Sequence, residues 1–497
     1  MAVPARKFYR SAAWLALACL VVPMFASYYF DDMFSSISYL FEDPSLTQLG
    51  WDAAGYGLYA SGYSVLCVFG GLVVGGILLD KWGVRVSGSL FVGMMVLGAG
   101  MVTAALLHGG AGALTWAYVG VMLFGLGSEI AGTAVTRSIA KWFKGGPMAL
   151  AMGLQLAIAR LGTAFALVLS PVLVKQQAGH VYTLAETARP AGVGMALMAA
   201  GLILWALFVA LDARADRSAR AAAAAAGPVG RDAATDQDDE AFRFKDVLGV
   251  LGNRNFWLLG LLCVLFYSSI IAFKKFAGAI LIPRFDIPAS AAGWMVSMLP
   301  FSTVVFAPLF GMLVDKAGKG TRWMVLGAVL ALVAHLLLAF APSGVPFWGY
   351  LAMVLLGFGY SLVPAALWPS VPKIVPDKVL GTTFALIYWV QNLGLLSFKW
   401  LSGIILGTAG VASAAGAAGV AGETAATTAG VASAAGAAGV AGETAATTAG
   451  AASAWLTGPV RVELMFVALC IAAVAVALLF RRTSARNPSL HLDTPNR

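Results

Sequence analysis

The chain has 497 residues, of which 60% are hydrophobic and 11% charged, with a net charge of +9. A soluble domain of this length would carry about a quarter charged residues, so the composition excludes an ordinary soluble enzyme and points to a chain embedded in lipid. The basic excess is no nucleic-acid signature, because no single soluble face gathers it.

Apolar runs of about 20 residues recur along the chain. Alternating strand patterns are absent, which predicts an all-α membrane protein. Spans are expected at 11–30, 53–79, 86–108, 114–139, 147–174 and 190–211, and again at 254–283, 288–313, 322–341, 346–371, 379–407 and 459–480. The expected domains are therefore a six-helix bundle over 1–211, a linker over 212–253 and a second six-helix bundle over 254–497. The basic clusters fall on the side of the two termini and Asp31, Asp32, Glu42 and Asp43 on the other, so the positive-inside bias makes both termini cytoplasmic. The first span lacks a small-residue cleavage site and is expected to be retained. The four cysteines all lie inside spans, where they act as small packing residues and not as disulfides.

Taken in order, the first span ends Ser27-Tyr28-Tyr29-Phe30-Asp31-Asp32. Its tyrosines suit an interface belt, and its acids the outer mouth of a pathway. In the second span Tyr56, Tyr59 and Tyr63 share one helix face, either lining a polar cavity or packing against a neighbouring helix. The fourth and fifth spans each carry one charge near mid-depth, Glu129 and Arg160. An ionisable group there costs on the order of 3 kcal/mol or more unless a cavity or partner receives it. The two are expected to clamp a substrate; the bland alternative is that they pair with each other.

The sequence Gly76-Ile77-Leu78-Leu79-Asp80-Lys81-Trp82-Gly83-Val84-Arg85 returns in the second half as Gly311-Met312-Leu313-Val314-Asp315-Lys316-Ala317-Gly318-Lys319. An Asp beside Lys or Arg at a helix end can latch neighbouring helices and release them. Two copies at corresponding places in two six-helix halves carry weight that one would lack. On this motif the chain resembles the major facilitator superfamily over nearly its whole length. The resemblance implies twelve transmembrane helices in two bundles, alternating access to a central site, and gating roles for Asp80, Lys81, Arg85, Asp315 and Lys316.

Further segments narrow it: Trp142-Phe143-Lys144-Gly145, Gly153-Leu154-Gln155-Leu156, Ala159-Arg160-Leu161-Gly162, Gly359-Tyr360-Ser361-Leu362, Ala366-Leu367-Trp368-Pro369 and Gln391-Asn392-Leu393-Gly394-Leu395. They are similar to a branch of dipeptide uniporters from the lysosomal membrane. That implies a carrier with little side-chain preference, Glu129 holding the peptide amino end and Arg160 its carboxylate, working by uniport or, with Glu129 protonated on the empty return, coupled to protons. It also brings an accessory membrane subunit as a candidate partner, beside the lipid bilayer. Ammonium and carboxylate stand at nearly the same separation in every dipeptide, and an acid–arginine pair can read that shared feature.

The seventh span is unusual in holding Lys274 and Lys275, which point about 100° apart on a helix. One is expected to meet substrate or Glu129 while the other pairs elsewhere. They also motivate an alternative substrate class, organic anions. His335 in the ninth span reads as a packing residue. Tyr360 and Trp368 in the tenth span, and Gln391 and Asn392 in the eleventh, are expected cavity liners, Lys399 less so.

A 20-residue unit, GVASAAGAAGVAGETAATTA, occurs twice between 410 and 449. It lacks large apolar groups and is expected to be an extracytoplasmic insertion whose glycines oppose a stable helix. No phosphate-binding loop, hydrolase motif or His/Cys metal spacing appears, so no enzyme activity, cofactor or metal is expected. The remaining alternative is a receptor or scaffold that transports nothing. Ala/Gly-rich composition and short termini point to a bacterial inner membrane, with a lysosomal membrane as the alternative.

Overall fold

The computed structural model describes residues 3–144, 147–174, 180–225, 249–375, 379–430, 457–487 and 492–493. Among them there is no strand. Helices α1 (Val3–Asp32), α2 (Ala53–Leu66), α3 (Leu72–His108), α4 (Ala113–Trp142), α5 (Met148–Leu173) and α6 (Arg189–Ala225) build the first half. Helices α7 (Arg254–Lys275), α8 (Ala277–Phe285), α9 (Ala289–Ala317), α10 (Gly320–Phe340), α11 (Pro346–Leu367), α12 (Leu380–Gly430) and α13 (Gly458–Arg486) build the second.

Ten described stretches are long and apolar enough to cross a membrane. One of them, Ala53–His108, contains two passes, because Gly83 takes φ +75° and turns the chain back within α3. With α12 the spans among the described residues number twelve, six in each half. The equivalent turn in the second half is made by Gly318 at φ +60°, so the two copies of the repeated motif fold alike. Each needs glycine because a side chain is strained at that φ. An even number of spans puts the start of α1 and the end of α13 on one face, here the terminal face, with the distal face opposite.

Two spans are broken, each at a point where one half contacts the other. Between α2 and α3 the segment Cys67–Gly71 forms a π turn with Gly70 at φ +93°. The carbonyl of Val68 at this break accepts a hydrogen bond from Trp389 Nε1 at 2.7 Å, which satisfies a group that would otherwise be orphaned in lipid. Between α7 and α8 the chain leaves helical geometry at Phe276, directly after the dilysine. The expected single span 254–283 is thus two helices.

Two boundaries differ from expectation. Helix α6 runs past the expected span end to Ala225, and its Asp212 and Asp216 take part in ion pairs, so the start of the interval is structured helix. Helix α12 continues to Gly430, through the first copy of the 20-residue unit. Elongating a formed helix needs no new nucleus, and the alanines between the glycines favour it. Most of the expected linker and the second copy of the unit lie outside the described residues.

The halves meet closely near the distal face. At the α2–α12 seam, a Cβ added to Gly403 would stand 2.6 Å from Gly57 Cα, and one added to Gly57 would stand 2.6 Å from Gly403 Cα. Gly278 N donates across the halves to Ser35 O at 3.1 Å, and the neighbouring Ser36 donates within the first half to Leu167 O at 2.9 Å. Toward the terminal face, Phe69, Val73, Val74 and Ile77 are exposed. Gly403→Leu is expected to force the seam apart. Spin labels at exposed distal Val181 and Val345 should then report a longer distance between the halves, whereas an unchanged distance would show that this contact does not set closure.

Candidate functional site

Near the middle of the first half, Glu129 of α4 and Arg160 of α5 both keep partial exposure. Among the described residues no ion pair joins them, so the bland alternative of a mutual pair is not what the structure contains. Glu129 Oε1 accepts from Tyr63 Oη at 3.1 Å, and the same phenol lies 3.3 Å from Ser128 Oγ. Ser27 and Ser128 share a hydrogen bond of 2.5 Å, which ties α1 to α4 beside the acid.

Arg160 crosses to the other half. Its Nη1 donates to Tyr360 Oη of α11 at 2.8 Å. Its guanidinium carbon also lies 5.7 Å from the Tyr28 ring centroid and 5.4 Å from that of Tyr360. Such contacts orient a guanidinium without neutralising it. Each of the two charges is therefore held by phenols, and among the described residues neither has an ion-pair partner.

An aromatic wall extends this arrangement across the second half. Tyr267 and Tyr360 rings are 6.1 Å apart, Trp368 Nε1 donates to Tyr267 Oη at 3.1 Å, and Trp368 stacks on Tyr388 at 5.1 Å. Gln391 accepts from the Cys263 thiol at 3.6 Å, and Asn392 Nδ2 donates to Tyr388 O at 3.1 Å. Asn392 Oδ1 is buried without a partner. Lys399 is buried, donates to Ala60 O at 3.2 Å, and lies 5.2 Å from the Tyr63 ring centroid.

The tyrosine stripe of α2 divides. Tyr63 reaches Glu129, whereas Tyr56 and Tyr59 belong to a packed aromatic cluster with Phe34, Phe41, Trp51 and Phe276. Tyr56 stacks on Phe41 at 4.5 Å, and its hydroxyl donates to Lys275 O at 2.9 Å.

Lys274 and Lys275 are placed differently from expectation. Both turn to the acids at the end of α1. Lys274 Nζ is 2.6 Å from Asp32 Oδ2, and Lys275 Nζ is 3.0 Å from Asp32 Oδ1 and 2.9 Å from Asp31 Oδ1. Lys275 also donates to the Asp31 carbonyl, and Thr163 Oγ1 to Asp32 Oδ2 at 2.8 Å. Neighbouring lysines diverge by about 100° on a helix, yet both succeed because the target is itself a pair of carboxylates and two oxygens of Asp32 are shared out. Neither lysine has Glu129 as an ion-pair partner. This cluster joins α1 to the α7–α8 break, one half to the other, at the distal face.

On the terminal face Asp80 pairs with Arg137 of α4 at 2.5 Å. Arg85 lies 3.0 Å from Asp212 and also pairs with Asp216. Lys141 holds the same two acids at 2.8 and 2.9 Å, and Trp142 Nε1 donates to Asp212 at 2.9 Å. Lys81, Asp315 and Lys316 are exposed. Arg137 and the Asp212/Asp216 pair do not stand out in the sequence, though Asp212 and Asp216, four apart on an extended α6, carry the signal of one acidic helix face. Tyr28, Tyr267 and Tyr388 likewise join the central arrangement without a sequence signal that marks them; Tyr28 reads as an interface residue from its position alone.

The family model described as Major Facilitator Superfamily matches residues 15–398. The chain is 31% identical over 364 residues to the lysosomal dipeptide transporter MFSD1 of Homo sapiens, covering 71% of each chain. It is 32% identical over 367 residues to the protein of that name from Danio rerio, covering 71% of this chain and 72% of the relative. In fold it is similar to a bacterial homologue of the human lysosomal transporter Spinster in an inward-facing, unoccupied conformation, with TM-score 0.67 and 15% identity over 98% of this chain and 99% of the other. It is also similar to the nucleoside transporter NupG, with TM-score 0.63 and 13% identity over 94% and 99% of the two chains. Twelve spans in two halves, the twice-used Gly-x-x-x-Asp-Lys-x-Gly motif and these likenesses agree: the chain belongs to the major facilitator superfamily of membrane transporters.

Proposed function

We propose that the protein carries dipeptides across its membrane by alternating access, with Glu129 receiving the peptide ammonium and Arg160 its carboxylate. The observation that carries this reading is that the two charges are held apart. Each is oriented by phenols, and neither is cancelled by the other. A zwitterion entering between the halves would give each of them an ion-pair partner, and charge-assisted hydrogen bonds of this kind are roughly twice as strong as neutral ones. The aromatic wall of Tyr267, Tyr360, Trp368 and Tyr388 offers apolar faces to variable side chains. The identity to MFSD1 relatives supports the same substrate class.

The Asp31/Asp32–Lys274/Lys275 cluster then acts as the distal gate. Its ion pairs hold the halves together in this state, and they must separate for the site to open distally. The terminal-face pairs Asp80–Arg137 and Arg85–Asp212/Asp216 lie within the first half and brace its latch. With the basic clusters on the terminal face, that face is cytoplasmic by the positive-inside bias. An organic-anion carrier loses its main motive, since two of the cations that suggested it are neutralised by acids of the same chain.

Saturable counterflow of a labelled dipeptide in vesicles, competed by unlabelled dipeptides and not by dicarboxylates, is the expected result. Competition by dicarboxylates alone would overturn the substrate class, and absence of any counterflow would overturn transport. Glu129→Gln should cost free dipeptides roughly tenfold or more in affinity, the scale of a hydrogen bond to a charged group. N-acetylated dipeptides should lose nothing by the same change. Equal losses for the two, read by calorimetry, would remove the role given to Glu129.

A further inference from the structure

Lys399 of α12 is a buried cation outside every ion pair found among the described residues. Its side chain sits in a residue of 2% exposure. The ammonium carries three donors, one of which meets Ala60 O at 3.2 Å. It also lies 5.2 Å from the centroid of the Tyr63 ring. A carbonyl and a ring face orient an ammonium without supplying a counter-charge. A lysine kept at this depth without one is costly, and the cost is relieved by a ligand that brings an anion.

The protein's own acids do not supply it. Lys399 stands within electrostatic reach of the distal gate and of Glu129. In the gate, however, Asp31 and Asp32 are paired with Lys274 and Lys275, two acids against two lysines. In the dipeptide reading, Glu129 takes the peptide ammonium and Arg160 the carboxylate. A zwitterion thus balances the site as the lysines balance the gate, and Lys399 is the charge in surplus between them. A dipeptide with uncharged side chains leaves that surplus in place. One further carboxylate on the substrate cancels it.

Tyr63 decides which end of the substrate Lys399 can meet. The phenol whose ring lies against the ammonium gives its hydroxyl to Glu129 at 3.1 Å, so the cation and the acid assigned to the amino end share one side chain. Arg160 is held elsewhere, by Tyr360 and Tyr28. Tyr388, Asn392 and Lys399 follow one another on α12 at steps of four and seven residues, hence on one helix face. Tyr388 of that face stacks in the aromatic wall. In a dipeptide the first side chain branches from the carbon that bears the ammonium, and the second from the carbon that bears the carboxylate. Only the first therefore belongs near Glu129 and its neighbour.

We propose that Lys399 is a specificity-determining residue that receives an acidic side chain on the first residue of the dipeptide, and disfavours a basic one there. This inference rests on the dipeptide reading and deepens it, replacing indifference to side chains at that position with a charge preference.

The test is calorimetry on the full chain in lipid nanodiscs at pH ~6, between the ordinary pKa values of carboxylates and lysines. The probes are the position isomers Glu-Ala and Ala-Glu, and likewise Lys-Ala and Ala-Lys. Isomers carry the same net charge, so total charge does not separate them. The wild type should bind Glu-Ala about tenfold or more tighter than Ala-Glu, the scale of a hydrogen bond between charged groups, and Lys-Ala more weakly than Ala-Lys. In Lys399→Met both preferences should shrink to about twofold or less. Lys399→Gln replaces that variant if it fails to fold. Isomers bound alike by the wild type would overturn the assignment, as would a Glu-Ala preference that survives in the neutral variant. Ala-Ala separates the premises. Binding of Ala-Ala without discrimination between the isomers removes the role of Lys399 alone. Binding of none of these peptides removes the dipeptide reading, and this inference with it.

Discussion

Arg160→Ala should abolish measurable dipeptide binding while leaving insertion and helix content intact. The guanidinium is oriented by Tyr360 Oη at 2.8 Å and by two aromatic faces, so it presents its remaining donors to a carboxylate in a fixed direction. Truncating one partner of a buried, hydrogen-bonded charge pair costs about 2–5 kcal/mol, which is on the order of thirtyfold to several-thousandfold in affinity. The structural cost is small by comparison, because Tyr360 loses one hydrogen-bond donor and no ion pair is broken. Arg160→Lys keeps the charge and loses the planar fork, so it should fall between the two. Calorimetry on purified protein in nanodiscs decides the matter. Affinity for Arg160→Ala within twofold of the wild type would mean that the carboxylate is held elsewhere.

Asp32→Asn should have the second large effect, on the conformational equilibrium. Asp32 accepts from Lys274, Lys275 and Thr163 at 2.6, 3.0 and 2.8 Å, and joins the halves where α7 breaks. Removing its charge leaves buried lysines short of a counter-ion, and a buried pair broken on one side costs about 3–5 kcal/mol. Opening the distal face to water relieves that cost, so the closed state should lose population by two orders of magnitude or more. The Val181–Val345 distance should lengthen, and Asp32→Asn/Lys274→Met should restore part of the closed population by removing one stranded charge. A closed distance in Asp32→Asn, with the protein folded, would show that the glycine seam and backbone contacts suffice.

Both effects turn on residues of very different legibility. Glu129 and Arg160 can be read directly, because a lone charge in the middle of a 20-residue apolar run has a cost that demands a reason. The gate acids and the dilysine are each conspicuous, but they lie more than two hundred residues apart, and nothing local says that they meet. The one-dimensional argument that adjacent lysines diverge by about 100° is correct for a helix. It misleads because it assumes a single receiving group and an unbroken span. His335 shows the same limit more plainly, since its partner Glu463 stands in the last span, 128 positions away.

Apolar run length, charge asymmetry and the twice-used Gly-x-x-x-Asp-Lys-x-Gly motif determined the membrane setting, the count of spans and the two-half plan. These are properties of short stretches, and the bilayer converts them into architecture because every backbone group in it must be satisfied within a helix. Only the tertiary structure decided which charges neutralise one another. That depends on helix breaks at Gly70 and Phe276 and on close approach of glycines at the α2–α12 seam, which together bring groups from opposite halves within hydrogen-bonding distance. Coulomb energy in a medium of low permittivity is decided by those last few ångströms, and no spacing along the chain encodes them.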